Sequence, residues 1–484
     1  MSYNREEHFK RLPTIRIHKA VLKNFKSVEY GEVIFDCSKQ FVPYGTTSDI
    51  LGIYGQNGSG KTAFIEALSI VKYVISGERI PFYYADCVSA GAECAELEFV
   101  FDLQYPTEPI VIRKVAYSFC LAVSEDSDLD KDENEMADML DGLYSKQLIK
   151  RKLRVYNEVL KIAGEIDGEN KKLLPTIDTS TKDAPFEPAS KRKLFYKPSK
   201  ELNGILKVHK KNAYEHSQSF IFMQEAREIF AQQETVTTYF EVLEELRYFA
   251  ARYLYVIDTK SIGAIRANVF LPFYNRYSDE IIINTVGANI VSDKMLGLIE
   301  KVIKPVDDVL SQFIPGMSIY VKKLGPAMLD DGKEGKSIEI VVNREGNELP
   351  IRCASDGARK IISVLSLIID AYNEKSLTVA IDEFDAGIYE YLLGEILQIF
   401  AESGKGQLIF TSHNLRPLEV LDKKFICFTT TNPQNRYYHL KNVGATNNLR
   451  RMYIQEIQVN EQDEEIYKAT KKHKIIAALR KAGW

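Results

Sequence analysis

No apolar run in this 484-residue chain approaches the roughly 18 residues that a membrane-spanning helix needs, so no membrane span is expected. A charge of one sign is also missing. The formal net charge is −4, with a pI near 6.1. That excludes a global basic field and confines any nucleic-acid contact to a local patch. The six cysteines (Cys37, Cys87, Cys94, Cys120, Cys353 and Cys427) are scattered, and none has the close spacing of a zinc site. Reduced, mostly buried thiols are expected. The polar start, Met1 to Pro13, does not read as a signal peptide, and a soluble cytoplasmic protein is the expectation. Sustained heptads and internal repeats are lacking, which argues against a long coiled coil or a solenoid. Tryptophan occurs once, as Trp484, with no legible role.

What is present alternates between strand and helix signals. Residues 14–36 read as two strands around a turn, and LGIYG (51–55) as a short buried strand. TAFIEALSIVKYVISG (62–77) has helical spacing and stops at Gly77. Residues 95–103 and 110–123 read as an antiparallel pair. An acid-crowded stretch follows at 124–141, where a solvated face is expected. Residues 145–165, rich in Lys and Arg, predict a helix, 166–200 a proline-bearing loop, and 222–254 a long helical pattern. After 250 a hairpin at 337–353 turns at Gly346. It is followed by helix 358–373, strand 377–384, helix 390–402 and strand 407–413. The expected organisation is an N-terminal core lobe over 1–123, a mostly helical insertion over 124–250, a second core lobe over 251–440 and a basic tail over 441–484. Strands alternating with helices predict an α/β fold with a largely parallel or mixed sheet and a ligand site at its carboxyl edge.

Gly55-Gln56-Asn57-Gly58-Ser59-Gly60-Lys61-Thr62 fits G-x-x-x-x-G-K-[ST] between a strand and a helix. Its glycines let backbone N–H groups turn toward phosphate oxygens, and the helix adds its positive end. Gly55, Asn57, Gly58, Ser59, Gly60, Lys61 and Thr62 are the expected ATP ligands. Lys61 would reach the β- and γ-phosphates, and the Thr62 hydroxyl would face Mg²⁺. In LTVAIDEF an apolar strand ends on Asp382-Glu383, which puts two acids at the sheet edge. Asp382 suits Mg²⁺, and Glu383 suits a general base toward the attacking water.

Ser355-Asp356-Gly357 opens a helix before the carboxylate strand, and Thr411-Ser412-His413 ends the strand after it. With the phosphate loop and the opening LKNFKSVEYGEVIF, this order resembles the ABC-type ATPases of the SMC, RecF and OLD group over about 10–125 and 250–430. The resemblance implies that Ser355 and Gly357 touch the γ-phosphate held by an opposing subunit. It implies that His413 senses that phosphate, and that Asp385-Ala386-Gly387 crosses a dimer interface. Where the group often has a His, this chain has Tyr389. A Mg²⁺-sensing Gln is expected in the group, and Gln104 is the candidate.

Between Lys61 and Ser355 lie 355 − 61 − 1 = 293 residues, too few for SMC arms. The 484 − 413 = 71 residues after His413 contain no D-x-D on a strand, so no nuclease of the chain's own is expected. A stand-alone ATPase of this kind resembles the AriA-type ATPases of PARIS phage-defence systems, and second the PtuA-type ATPases of Septu, which work with an HNH nuclease. That resemblance implies a homo-oligomer of dimer units, up to a hexamer. It also implies a Toprim nuclease partner and a phage-encoded trigger protein. Direct DNA binding, as in RecF-type repair, is the weaker expectation. The tail over 466–484 has six Lys and Arg and no acid, and a packed C-terminal helix with a solvated face is expected there.

Overall fold

The computed structural model describes residues 12–35, 48–107, 110–125, 151–166, 168–232, 237–258, 270–273, 281–285, 287–329, 331–440, 448–459, 463–468 and 470–482. Most of the acidic stretch expected to be solvated, and Trp484, lie outside the described residues.

Two six-stranded sheets carry the fold. The first is antiparallel, in the order β2-β1-β4-β5-β6-β7. Its strands are β1 (Thr14–Phe25), β2 (Val28–Ile34), β4 (Ala95–Tyr105), β5 (Val111–Glu125), β6 (Arg151–Ile166) and β7 (Glu169–Asp178). The second runs β18-β17-β3-β16-β15-β8. It contains β3 (Asp49–Tyr54), β8 (Leu254–Ile257), β15 (Thr378–Ile381), β16 (Gln407–Thr411), β17 (Ile426–Thr429) and β18 (Tyr437–Tyr438). All its pairs are parallel except β17–β18. A smaller sheet holds β11 (Asn289–Val291), β12 (Met317–Met328), β13 (Glu334–Arg344) and β14 (Asn347–Pro350), and β9 (Phe270–Phe273) pairs with β10 (Ile281–Asn284). The mixed α/β fold expected from the alternation is thus present, and the expected hairpin is β13–β14, with Gly346 at its turn.

The principal helices are α1 (Lys61–Ser76), α2 (Lys200–Glu215), α3 (Gln224–Ala231), α4 (Thr238–Arg252), α5 (Asp293–Phe313), α6 (Asp356–Asn373), α7 (Glu390–Ser403), α8 (Leu449–Val459) and α9 (Lys472–Ala482). Helix α1 lies between the two large sheets. Phe64, Ile65, Leu68, Ile70, Val71, Val74 and Ile75 are all fully buried in one core with β1, β4 and α4. Burial on almost every side explains why the segment is apolar all round. It ends at Gly77, whose φ of 80° is the left-handed cap that glycine adopts without cost. A second core joins α5, α6, α7, β12 and β13.

The sheets are sewn together at the amino edge of the parallel strands. Arg16 of β1 donates to Lys405 O at 2.7 Å, and the Gln407 side chain exchanges hydrogen bonds with the Ile17 backbone at 3.1 and 2.9 Å. A charged side chain this deeply buried is stable only when so satisfied. The opposite, carboxyl edge is left open for the phosphate loop.

Three local expectations change. Residues 151–166 form strand β6 rather than part of a helix. Leu153, Val155, Leu160 and Ile162 alternate inward, but a bulge near Asn157, whose φ is 51°, shifts the phase and hides the two-residue period. The expected loop over 166–200 contains edge strand β7, where Pro175 costs no interior ladder hydrogen bond. The region expected to be a mostly helical insertion is therefore sheet over 151–178 before it is helix. Helix α9 does not pack: every residue from Lys471 to Ala482 is exposed.

Candidate active site

Buried strand β3 delivers the chain to the phosphate loop. Gly55 has φ of 154°, and a Cβ there would lie 1.8 Å from Thr429 Oγ1, so only glycine fits between the loop and β17. Gly60, with φ of 100°, forms the left-handed start of α1. The loop is braced from outside the motif. Ser59 shares a short hydroxyl contact with Thr429 and donates to Gln56 O. Tyr437 OH donates to Gly60 O at 2.9 Å. Arg436 ties Ser27 O to Thr430 O, both at 2.6 Å. Nothing in the sequence marks Thr429, Arg436 or Tyr437 for this task.

A cavity of ≈ 300 Å³ opens over this loop. Asn57, Gly58, Gly60, Lys61, Thr62, Glu383 and His413 line it, with Lys26, Ser27 and Thr411. Phosphate loop, carboxylate and histidine are therefore brought together. Lys61 Nζ donates to Gly55 O and Gln56 O at 2.8 and 3.1 Å. Burial lowers its pKa, and the nearby Asp382, Asp385 and Glu383 work the other way.

The carboxylates sit on a hydrogen-bonded ladder between β15 and β16. Thr411 Oγ1 accepts from Glu383 N at 2.8 Å and donates to Asp382 Oδ1 at 2.6 Å. Asp382 N donates to Ile257 O of β8 at 2.8 Å. Glu383 itself has φ of 47°, a left-handed backbone that a non-glycine residue holds only when its surroundings impose it. That turn leaves the Glu383 side chain exposed in the cavity while Asp382 stays buried.

The residues present fit Mg²⁺. Asp382 Oδ2 is buried and has no hydrogen-bond partner among the described residues. Thr62 lies near enough to help lower the Asp382 pKa. An unpaired buried carboxylate oxygen is costly, and a divalent cation would satisfy it. Thr62 and Asp382 would hold the ion, which supplies charge neutralisation at the phosphates. Mg²⁺ is commonly held by one or two protein groups, with waters and phosphate oxygens for the rest. No group of three or more His, Cys, Asp or Glu suited to a metal occurs among the described residues.

Burial raises the Asp382 pKa above its ordinary 3.8, against a hydrogen bond from Thr411 and the nearby Thr62. A raised folded-state pKa gives stability that is present at low pH and lost as pH rises through it. Above that pH the buried charge is a cost to the nucleotide-free fold. Asp382→Asn is therefore expected to raise the melting temperature of nucleotide-free protein at pH 7, by about 2 °C, while impairing Mg²⁺-supported turnover. A melting temperature at or below wild type would contradict this.

His413 is exposed at the cavity wall, and its backbone N–H donates to Asp385 Oδ2 at 3.0 Å. Burial and then the Lys61 cation lower its pKa, partly offset by Asp385, Glu383 and Asp382. Its imidazole is thus neutral at pH 7 and keeps one N–H to donate.

Two expected ligands and the expected sensor lie elsewhere. Ser355 caps α6, accepting from Ala358 N at 3.3 Å, and is exposed. Gly357 packs on the loop after Glu383, where a Cβ would lie 1.8 Å from Gly387 O. Lys360 of the next turn donates to Glu383 O. Neither Ser355 nor Gly357 lines the Lys61 cavity. Gln104 does not reach it either. It pairs with Thr14 at the Arg16 end of β1, whereas Lys26, which lines the cavity, follows the other end of that strand. Antiparallel pairing puts Gln104 at the wrong end of β4 for a role at the phosphates.

Lys26 and Ser27 were missed. Lys26 is held by its N–H to Cys87 O at 2.7 Å and by an ion pair with Glu66 at 2.8 Å. Glu66 is buried one turn beyond Thr62 on α1. An acid facing inward from an otherwise apolar helix was the available signal.

The family model described as the AAA ATPase domain matches residues 16–416. No curated protein matches the chain. Among solved structures it is similar to an SMC head bound to the C-terminal winged-helix domain of ScpA, at 13% identity and TM-score 0.41, covering 88% of this chain and 98% of that one. It is also similar to the SMC head domain from Thermotoga maritima (14%, TM-score 0.35, 88% and 99%) and to the recombination mediator RecF with an ATP analogue (13%, TM-score 0.35, 88% and 99%). An antiparallel sheet and a mainly parallel sheet enclose the phosphate-loop helix. With the family match spanning most of its length and the phosphate loop facing Glu383 across one cavity, the chain belongs to the AAA ATPase domain family and is an ATPase.

Proposed function

We propose that ATP acts here as a switchable bond between two copies of the chain, each copy completing the other's active site. The observation that carries this is the position of Ser355 and Gly357. Ser355 stands exposed and Gly357 half-buried beside the Glu383 loop, both outside the cavity of their own chain. A second copy facing this rim would bring the N-terminus of its α6 to the γ-phosphate, where backbone N–H groups and the helix dipole favour an anion. Exposed Tyr389 and Tyr391, whose rings lie 5.6 Å apart just after the Asp385–Gly387 loop, suit such an interface.

In the closed site Lys61 and the loop N–H groups hold the β- and γ-phosphates. Glu383 accepts a proton from the attacking water as its oxygen bonds to the γ-phosphorus and the bond to the ADP oxygen breaks. Neutral His413 donates to a γ-phosphate oxygen. Sedimentation of the Glu383→Gln chain with ATP and Mg²⁺ tests the assembly. The mass should double from 55.2 kDa, and a mass that stays at the single-chain value contradicts it.

The biological role we infer is antiviral: an oligomeric sensor and scaffold that holds a Toprim-type nuclease inactive and releases it on meeting a phage-encoded protein. The motif order and the compact stretch between Lys61 and Ser355 support it. Co-purification of a nuclease from native cells, with phage resistance lost in Lys61→Ala, is the expected result; resistance unchanged in that variant contradicts it.

A second reading, direct duplex binding, is favoured by residues 171–211. They carry eleven Lys and Arg against four Asp and Glu. Tight duplex binding by the pure protein, weakening steeply with salt, would support it over the scaffold.

A further inference from the structure

Helix α9 has no buried residue. Ile475, Ile476 and Leu479 are 46%, 41% and 69% exposed and share one face. Lys472, Lys474, Arg480 and Lys481 flank them, and the helix has no acid. Each such apolar side chain gains on the order of 1–2 kcal/mol when covered. A surface that covers this stripe should be apolar at its centre and acidic at its rim. Residues 466–484 hold six Lys and Arg and no acid, so the rest of the chain carries −4 − 6 = −10. The body of a second copy therefore has the complementary charge.

Where the helix leaves the body narrows the choice. Ile466 is fully buried, and Thr431 N donates to Glu465 O at 2.7 Å. Lys468 N then donates to the side chain of Gln56, inside the phosphate loop, at 3.0 Å. Helix α9 thus departs from the rim of the nucleotide cavity. Helix α7 starts from the same rim, directly after the Asp385–Gly387 loop. Its outward residues, Glu390, Tyr391, Glu395, Gln398, Ile399 and Glu402, are all exposed, and the helix contains no Lys or Arg. Tyr391 and Ile399 supply apolar surface there, although Arg416 lies over the Tyr391 ring at 4.8 Å.

We propose that α9 of one copy docks on the outer face of α7 of a second copy, strapping the ATP-closed pair together. Ile475, Ile476 and Leu479 cover Tyr391 and Ile399, and the flanking cations face Glu395 and Glu402. This rests on the two-copy reading. It adds a contact that the active sites do not themselves require. Because Lys468, four residues before the strap, is hydrogen-bonded to Gln56, occupancy of the phosphate loop would be coupled to docking of α9, and such coupling is reciprocal.

Two full-length variants test the strap, both in the Glu383→Gln background with ATP and Mg²⁺. One carries Lys472→Glu, Lys474→Glu, Arg480→Glu and Lys481→Glu, and the other Glu395→Lys and Glu402→Lys. Sedimentation equilibrium should show each self-associating about tenfold more weakly, since like charges then face each other. Mixed one to one, they should pair with each other to within about threefold of the parent Kd, because opposite charges meet again at both straps. Unchanged self-association in either variant, or no recovery on mixing, overturns the strap and leaves the two-copy reading standing. A parent chain that stays monomeric with ATP overturns both.

Discussion

Glu383→Gln is expected to keep ATP bound and lose turnover by about two to four orders of magnitude, the usual share of a positioned general base. The substitution is nearly isosteric, and the Glu383 side chain is exposed, so the fold loses no buried contact. The backbone features that place it survive: Glu383 N still donates to Thr411 Oγ1, and its carbonyl still accepts from Lys360. What disappears is a carboxylate able to take a proton. No neighbour replaces it. Asp382 is buried and engaged with Thr411, and Asp385 is engaged with the backbone at His413 and Asn414. Phosphate release measured under single-turnover conditions checks this. Turnover within about threefold of wild type would remove Glu383 from the proton path.

Lys61→Ala is expected to weaken ATP binding by at least about 100-fold. That is the order of loss when one partner of a desolvated charge pair is removed. Burial lowers the Lys61 pKa, and the acids of the β15 edge oppose that shift, so the ammonium is already partly stripped of water before phosphate arrives. Its contacts with Gly55 O and Gln56 O are made by a side chain folded back on its own loop. Removing it deletes no brace from β17 or β18, since those run through Ser59, Gly60 and Arg436. Stability should therefore hold while affinity falls. Titration with a fluorescent ATP analogue, beside a melting curve, separates the two; unchanged affinity would refute the assignment of the loop.

The residues gathered at the cavity were legible because ATP chemistry demands such types in order: a glycine loop ending in Lys61-Thr62, and two acids closing an apolar strand. Buried strands β3, β15 and β16 were legible for the same reason, each being an apolar run with a polar stop. The failures share a different cause. In β6 a bulge at Asn157 broke the alternation, and its Lys and Arg, Arg154 even buried, imitated a helix. Gln104 matched by residue type and approximate place, but antiparallel pairing decides which end of a strand meets the site, and pairing is a long-range fact. Arg436, Tyr437 and Thr429 brace the loop across more than 360 positions of sequence, where no local pattern reaches. The tail showed its composition but not its isolation, because exposure depends on what the rest of the fold leaves uncovered.

The central claim is that the Lys61 loop is half of an active site, completed by Ser355 of another copy. Mixing two inactive chains tests it directly. Lys61→Ala removes the loop half, and Ser355→Arg removes the half supplied to the neighbour. Each alone should be inactive in steady-state hydrolysis. Mixed one to one, half of the pairs contain both chains, and each such pair has one intact site. The mixture should therefore recover about a quarter of the wild-type rate. Activity no greater than the sum of the two separate chains would contradict a site shared between copies.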